Sequence, residues 1–373
     1  LIYAGSELGL FASYTGGTNW VSLGLKNLPA VAVRDIQIHP RDNDLILATH
    51  GRSVWIFDDA SALQQMTPEI ASNDVHLFDV RPALRFTARF QKYGIGDKQF
   101  TGANPSYGAL ITYYLKDKPD DKATAKIEVL DSSGKVIREL KTISKEKGIN
   151  RASWDLRYEG PRVRRPPTEE EAAFGGAPVG PRALPGVYTI RLSIGDKKLD
   201  TKVQVLLDPT ISTPAADLQT EFSSGMKLRD MQSALVDGVK ALASVKEQLS
   251  QIEKTVKDRM TSPPEELIKA IAEHKKMIEQ IEEQLFRKDG GLGLSGGAKF
   301  MDGLGSLAGS IESVNAAPTP AQSEYLEELQ KAFPARLAEV NKFIGETVPK
   351  LNDLLRKYGA PTVLAGKVIE SPR

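Results

Sequence analysis

The sequence predicts a multidomain β plus α chain: partial β-propeller blades, then a β-sandwich, then a C-terminal antiparallel helical bundle. Three observations predict it. Leu1-Ile2-Tyr3-Ala4 recurs as Leu45-Ile46-Leu47-Ala48, and Leu10-Phe11 falls on Val54-Trp55 at the same offset of 44 (45 − 1); a repeat of about 40–45 residues built of strands and turns is the signature of propeller blades. From about Val75 to Pro209, short β-rich segments alternate with turns, as in a sandwich. From Thr213 onward, apolar residues step by three or four, as on the buried seam of packed helices.

The repeat sets the strand phase over residues 1–59. Leu1–Ser6, Gly9–Ser13 and Asn19–Leu23 are expected as the second, third and fourth strands of one blade. Val33–Ile38, Leu45–Thr49 and Val54–Phe57 are the first, second and third of the next. The first copy continues into Ser13-Tyr14-Thr15-Gly16-Gly17-Thr18-Asn19-Trp20, which resembles the Asp-box turn (Ser-x-Asp-x-Gly-x-Thr-Trp) of BNR-repeat propellers. The resemblance implies a structural turn: Ser13 holds the turn backbone, Gly17 supplies a positive φ without steric cost, and Trp20 buries its ring between blades. Thr15 and Asn19 depart from that pattern. The second blade has no fourth strand. An N-terminal strand often closes such propellers and removes the open edge, so the chain reads as the C-terminal part of a longer protein whose N-terminal blades precede it.

Residues 60–74 read as a connector, with a short helix over Ala60–Met66 ended by Pro68. In the β region over 75–209, strands are expected at Val75–Phe78, Ala109–Leu115, Ala125–Leu130, Lys135–Leu140, Asn150–Tyr158, Gly186–Ser193 and Thr201–Leu207. Asp131-Ser132-Ser133-Gly134 is hairpin-turn chemistry. The run Asp131-x-x-Gly134-Lys135-Val136-Ile137-Arg138, with Trp154-Asp155 and Pro185-Gly186-Val187-Tyr188-x-Ile190-Arg191-Leu192, resembles the Ig-like domain of flagellar hook-capping proteins. This implies an Ig/fibronectin-like sandwich with a Pro/Gly-rich loop at 161–185.

The bundle is expected over 213–360, followed by a tail over 361–373. Its first seam is Leu228, Met231, Leu235, Val239, Leu242, Val245, Leu249, Ile252 and Val256; Leu267, Ile271, His274, Ile278, Ile281 and Leu285 form a second. Ser262-Pro263-x-Glu265 and Thr319-Pro320-x-Gln322 read as capping boxes with Pro at the first helical position. A shorter helix fits Lys299–Val314, and a last one Ala321–Tyr358, kinked or broken at Pro334 and Pro349.

The totals exclude several classes. A net charge of +1 over 373 residues gives no electrostatic footprint for nucleic acid or an anionic membrane. No apolar run approaches the ~18 residues of a membrane span. Without cysteine there is no disulfide, thiol catalysis or thiolate metal site. The four histidines, His39, His50, His76 and His274, have no partner at metal-ligand spacing, so neither a metal nor a cofactor is expected. Gly291-x-Gly293-x-x-Gly296 matches the dinucleotide fingerprint by letter only, since no strand precedes it.

Glycosidase chemistry needs two carboxylates flanking a cleft. Asp42-Asn43-Asp44 reads instead as the turn after His39-Pro40, and Asp58-Asp59 as a strand exit; no carboxylate pair has a setting that implies opposed pKa shifts. The ligand-binding candidates are Glu7, His50 and Arg52, in loops between second and third strands and therefore on one face of adjacent blades. Two readings are open for them: contact with a ligand, and the more usual solvated or loop-bracing charge. Arg34, Arg41 and Arg52 lack the context of a sialidase triad.

The runs Asp35-Ile36-Gln37-Ile38-His39-Pro40-Arg41-Asp42-Asn43-Asp44-Leu45 and Ala48-Thr49-His50-Gly51-Arg52-x-x-Trp55-Ile56-x-Asp58-Asp59 resemble the end of a large bacterial family. These are BNR-repeat proteins of the sortilin- and xyloglucanase-like propeller superfamily, often labelled glycosyl hydrolases. The likeness continues through Asn104-Pro105-x-Tyr107-Gly108-Ala109, Asn150-Arg151-x-x-Trp154-Asp155-Leu156-Arg157-Tyr158 and Ala216-Asp217-Leu218-Gln219. It implies an extracytoplasmic (periplasmic or secreted) bacterial protein. Two functions follow as alternatives. One is a non-catalytic propeller portion binding a protein, peptide or glycan, with sandwich and bundle as structural attachments. The other is the accessory part of a glycoside hydrolase whose catalytic aspartates lie in other blades, so that no catalytic residue is carried over.

Overall fold

Six short strands in the first 57 residues form two antiparallel meanders. β1 (Ile2–Ser6), β2 (Gly9–Ser13) and β3 (Val21–Ser22) make one sheet, and β4 (Val33–Ile38), β5 (Leu45–Thr49) and β6 (Val54–Phe57) the next. The structure is a computed structural model, and it describes residues 1–24, 27–87, 102–166, 168–169, 178–259, 262–286 and 299–372. The expected strand over Asn19–Leu23 shortens to Val21–Ser22. The two-residue period of a strand decides the faces. Leu45 and Leu47 are fully buried on β5 and pair with Phe57 and Trp55 of β6. The opposite face of β6 leaves Val54 and Ile56 each 59% exposed. Leu10, Val33, Leu45, Leu47, Ala60 and Leu63 form a small shared core.

The connector contains two helices, α1 (Ser61–Gln65) and α2 (Pro68–Ser72). Pro68 begins the second helix rather than only ending the first. Its missing N–H falls where no intrahelical partner exists, and the Thr67 hydroxyl accepts the Ile70 N–H at 3.2 Å.

Eight more strands follow: β7 (Val75–Leu77), β8 (Ala83–Arg85), β9 (Ala109–Leu115), β10 (Ala125–Leu130), β11 (Val136–Leu140), β12 (Gly148–Trp154), β13 (Gly186–Ile194) and β14 (Lys197–Leu207). They form a five-stranded sheet in the order β11-β10-β13-β14-β8 and a three-stranded sheet in the order β12-β9-β7. The three-residue β8, too short to leave an alternating pattern in the sequence, pairs parallel to β14. The β10–β11 turn is built as its residues predict: Asp131 Oδ1 accepts the N–H groups of Ser133 (2.9 Å) and Lys135 (3.1 Å), and Gly134 has φ 81°. Trp154 of β12 and Tyr188 of β13, one from each sheet, meet edge to face with ring centroids 5.1 Å apart. Gly108 closes against this core at φ 107°, where a Cβ would fall 1.9 Å from the Trp154 carbonyl oxygen.

The chain divides into two compact units, residues 1–156 with 185–208, and residues 157–184 with 209–373. The segment expected as a loop of the β region, 161–185, therefore belongs almost wholly with the helices. Charged contacts tie it there, as described below. The 291–296 glycine run and residues 167 and 170–177 of the loop lie outside the described residues.

In the helical unit, α3 (Ala215–Arg259) runs for 45 residues and buries all nine apolar positions of the expected first seam. α4 (Glu265–Leu285) buries Leu267, Ile271, Ile278 and Leu285, while His274 stays partly exposed with Nδ1 2.6 Å from the Ala270 carbonyl oxygen. The capping box expected at Ser262 does not form: the helix starts at Glu265, with Pro264 at the cap and no side-chain cap bond. Pro263 and Pro264 in tandem hold the backbone extended before it. α5 (Phe300–Ile311) is followed by α6 (Pro320–Lys342), where Thr319 and Gln322 complete the expected reciprocal box at 3.3 and 2.8 Å. A π-helical turn, Phe343–Thr347, joins α6 to α7 (Val348–Lys357). It absorbs Pro349, which has no N–H to donate and whose ring crowds the preceding turn; Pro334 is carried inside α6. Among the described residues no helix is long and apolar enough to cross a membrane.

Candidate functional site

Ser13 does what the turn motif requires of it. Its Oγ accepts the Gly17 N–H at 2.8 Å and the Thr15 N–H at 3.4 Å. Gly16 and Gly17 sit at φ 67° and 97°, a region that glycine enters freely. Thr15, in the position usual for Asp, still accepts the Asn19 N–H through its hydroxyl at 2.9 Å. Trp20 differs from expectation. Its ring lies near Gly17, where a Cβ would come 4.0 Å from it, yet the side chain remains 43% exposed rather than buried. No adjacent sheet closes over it among the described residues.

The loop face comes together in part. β1 runs alongside β4, and the start of β4 touches both turns, through the Ala32 backbone and the Arg34 side chain. His50 N–H donates to the Ala32 carbonyl at 2.9 Å, while Arg34 Nη1 and Nη2 donate to Glu7 Oε1 and Oε2 at 2.7 and 3.4 Å. Glu7 is therefore engaged by Arg34. No hydrogen bond or ion pair joins Glu7, His50 and Arg52 to one another among the described residues. All three are exposed, and the fork to Glu7 is screened by water, so its stabilising worth is about 0–1 kcal/mol. The Arg52 carbonyl accepts the Trp55 indole N–H at 2.9 Å, which leaves its guanidinium at the turn surface.

The opposite end of β5 and β6 carries a denser group. Asp42-Asn43-Asp44 is the expected turn: Asn43 N–H donates to the His39 carbonyl and His39 N–H to the Asp44 carbonyl, both at 2.9 Å, with Asn43 at φ 58°. Asp58-Asp59 is the expected strand exit. Asp59, at φ 46°, accepts the Ser61 N–H at 3.1 Å to start α1, and its own N–H donates to Asp44 Oδ1 at 2.8 Å. Two arginines fasten this corner. Arg151 donates to the carbonyls of Asp58 (2.7 Å) and Asp59 (2.8 Å), and Arg81 to those of Arg41 and Asp42. Neither arginine stood out as a site residue, although Arg151 lies within the Asn150–Tyr158 motif.

Two carboxylates of this corner are shifted in opposite directions. The hydrogen bond from the Arg41 guanidinium holds Asp42 below the usual carboxylate range, against the opposing effect of burial. Burial, then the Asp44 and Asp59 charges, push Asp58 up, with Arg151 opposing. The Asp58 side chain makes no hydrogen bond among the described residues. On β1, the Tyr3 hydroxyl is buried without a partner, and burial followed by Tyr14 pushes it up to about 12.

The helical unit has its own polar cluster. Arg157 donates to Glu312 Oε2 (2.7 Å) and to the Gly180 carbonyl (2.8 Å). Arg182 donates to Glu221 Oε1 (2.9 Å) and the Val314 carbonyl (2.6 Å), with Arg182 and Glu221 only 4% and 1% exposed. These pairs fix residues 157–184 to α3 and to the end of α5. Beside them, Pro161, Pro181, Gly225, Ala308 and Gly309 line an apolar cleft of about 380 Å³. Comparison with family models, with curated proteins and with solved structures found no match. Among the described residues no group of three His, Asp or Glu is placed to hold a metal ion.

Proposed function

We propose that residues 1–59 are propeller blades of the BNR-repeat kind, followed by an Ig-like sandwich and a helical bundle, and that the protein binds a peptide or glycan through the loop face holding Glu7, His50 and Arg52. The observation that carries this reading is the Ser13–Gly17 turn between β2 and β3 of the first meander, together with the recurrence of β1 and β2 about 44 residues on as β5 and β6. The sheet edge supports it too: among the described residues β6 pairs only with β5, as a blade awaiting a further strand would. In this reading the protein is extracytoplasmic, and other blades of the same protein are its nearest partners.

The exposed Glu7, His50 and Arg52 offer one anion and two donors without a shared buried pocket, an arrangement suited to polar ligands held at the surface. A glycan array and a peptide library probed with the intact protein test it. The expected result is binding that the combined Glu7→Ala, His50→Ala, Arg52→Ala variant loses while its melting temperature holds. A second reading is the accessory part of a glycoside hydrolase whose catalytic carboxylates lie in other blades. Turnover of aryl glycosides or xyloglucan oligosaccharides by this chain that disappears in Asp58→Asn would replace both readings with an active site here.

A further inference from the structure

Residues 360–372 cross the helical unit without regular secondary structure, and three side-chain amides hold them in the same way. Asn352 Oδ1 accepts the Val363 N–H at 2.7 Å and its Nδ2 donates to the Val363 carbonyl at 2.9 Å. Gln248 makes the same pair with Leu364, at 2.8 and 2.8 Å. Asn341 makes it with Ile369, at 2.8 and 2.9 Å. A carboxamide carries an acceptor and a donor side by side, so each of these groups reads the N–H and C=O of one extended residue as a neighbouring strand would. None of the six bonds depends on which side chain the held residue carries.

Specificity comes from two anchors. Val363 is 2% exposed and enters the helical core, and Ile369, six positions on (369 − 363), packs against it. Gly238 of α3 makes room there, since a Cβ would lie 2.7 Å from Val340 and 3.7 Å from Ile369. Leu364 and Val368 are 79% and 53% exposed, and the small Ala360 and Ala365 pack only partly against the core. The segment leaves α7 through Gly359 at φ 65°, a point where the chain direction changes without a helix to break.

We propose that the groove formed by Gln248, Asn341 and Asn352 is a peptide-binding surface, that residues 360–372 fill it in cis, and that an extended peptide with β-branched anchors six residues apart fills it in trans once that segment is displaced. The occupant already seated shows the chemistry that fits. Because a tethered segment competes at an effective concentration on the order of millimolar, the intact protein masks the groove, and displacement has to precede binding. The inference is independent of the loop-face reading.

The test uses the full chain with Val363→Asp and Ile369→Asp, which evicts both anchors and leaves the three amides in place. The probe is a labelled synthetic peptide of residues 360–372, followed by fluorescence anisotropy. The expected result is saturable binding to the variant, at least tenfold weaker binding to the unaltered protein, and at least tenfold weaker binding when Asn341→Leu and Asn352→Leu are added. A variant that keeps its helical circular dichroism and cooperative melting but shows no saturable binding would overturn the proposal, and so would loss of the helical fold on eviction. Amide exchange of the unaltered protein gives a second reading. The Val363, Leu364 and Ile369 amides should exchange together and faster than those of Leu242 and Val245; exchange only through global unfolding would overturn the proposal as well.

Discussion

The first meanders and the helical unit use apolar residues in opposite ways. In the helices, every apolar position of the α3 seam finds a partner, and residues from α3, α4, α5, α6 and α7 share one core. In residues 1–57 burial is uneven: Leu45 and Leu47 are fully buried, but Val54, Ile56, Val21 and Trp20 are between 43% and 59% exposed. The cause is geometric. A helical stripe tells which way the helix faces, and one long partner buries it. A strand has two faces, and covering the second takes another sheet. The helical unit should therefore hold its stability within itself, whereas the meanders have apolar surface still to bury.

The largest effect that would break this contrast is in the helical core. Leu242 is fully buried against the other helices, so Leu242→Asp places an unpaired carboxylate in apolar surroundings and should cost more than about 4 kcal/mol. Helical circular dichroism should fall sharply while near-ultraviolet signals from Trp154, in the β region, persist. A melt unchanged within error would mean that the helices do not form one cooperative core.

A smaller effect separates the two regions from the other side. Full burial of Trp20 between blades implies a loss of about 3–5 kcal/mol on truncation. At 43% exposure, with its ring beside Gly17, Trp20→Ala should cost no more than about 1 kcal/mol in this protein. Ser13→Ala, which leaves the Gly17 N–H without its acceptor, should cost about 1–2 kcal/mol. Chemical denaturation followed by tryptophan fluorescence measures both. A Trp20→Ala loss above 3 kcal/mol would show that the ring is covered in solution, by a neighbouring blade or a second molecule.

What could be read from the sequence follows from the range over which each signal acts. The meanders came from a repeat and alternation, both local, and their five longer strands fall within a residue of expectation. The α3 seam came from periodicity sustained from Leu228 to Val256. What escaped depends on distant partners. β8 has three residues and exists because β14 accepts it in parallel. Residues 161–185 look like a loop of the β region until Arg157 and Arg182 meet Glu312 and Glu221, 155 and 39 positions away. Arg34 was visible only as an arginine, and its partner Glu7 lies 27 residues back. Asn341, Asn352 and Gln248 look like ordinary polar positions on exposed helix faces, and only the segment lying across them gives them a common role.

The smallest expected effect concerns the corner where the two ends of the second meander differ in charge. At the turn end, Glu7 meets Arg34 in water; at the exit end, Asp58 meets burial and the charges of Asp44 and Asp59, with Arg151 opposing. The fold therefore raises the Asp58 pKa and favours its protonated form. As pH rises from the usual carboxylate range through the raised folded value, the folded state holds more protons than the unfolded one, and stability falls. Asp58→Asn keeps the backbone carbonyl that Arg151 binds and removes the charge. The variant should match the unaltered protein near pH 3 and exceed it at neutral pH, by less than about 1 kcal/mol because the site is partly solvated. Urea midpoints at the two pH values measure the difference. A variant less stable at neutral pH would mean that the Asp58 charge is wanted where it sits, held by Arg151, and the turn end and the exit end of the meander would then obey the same rule.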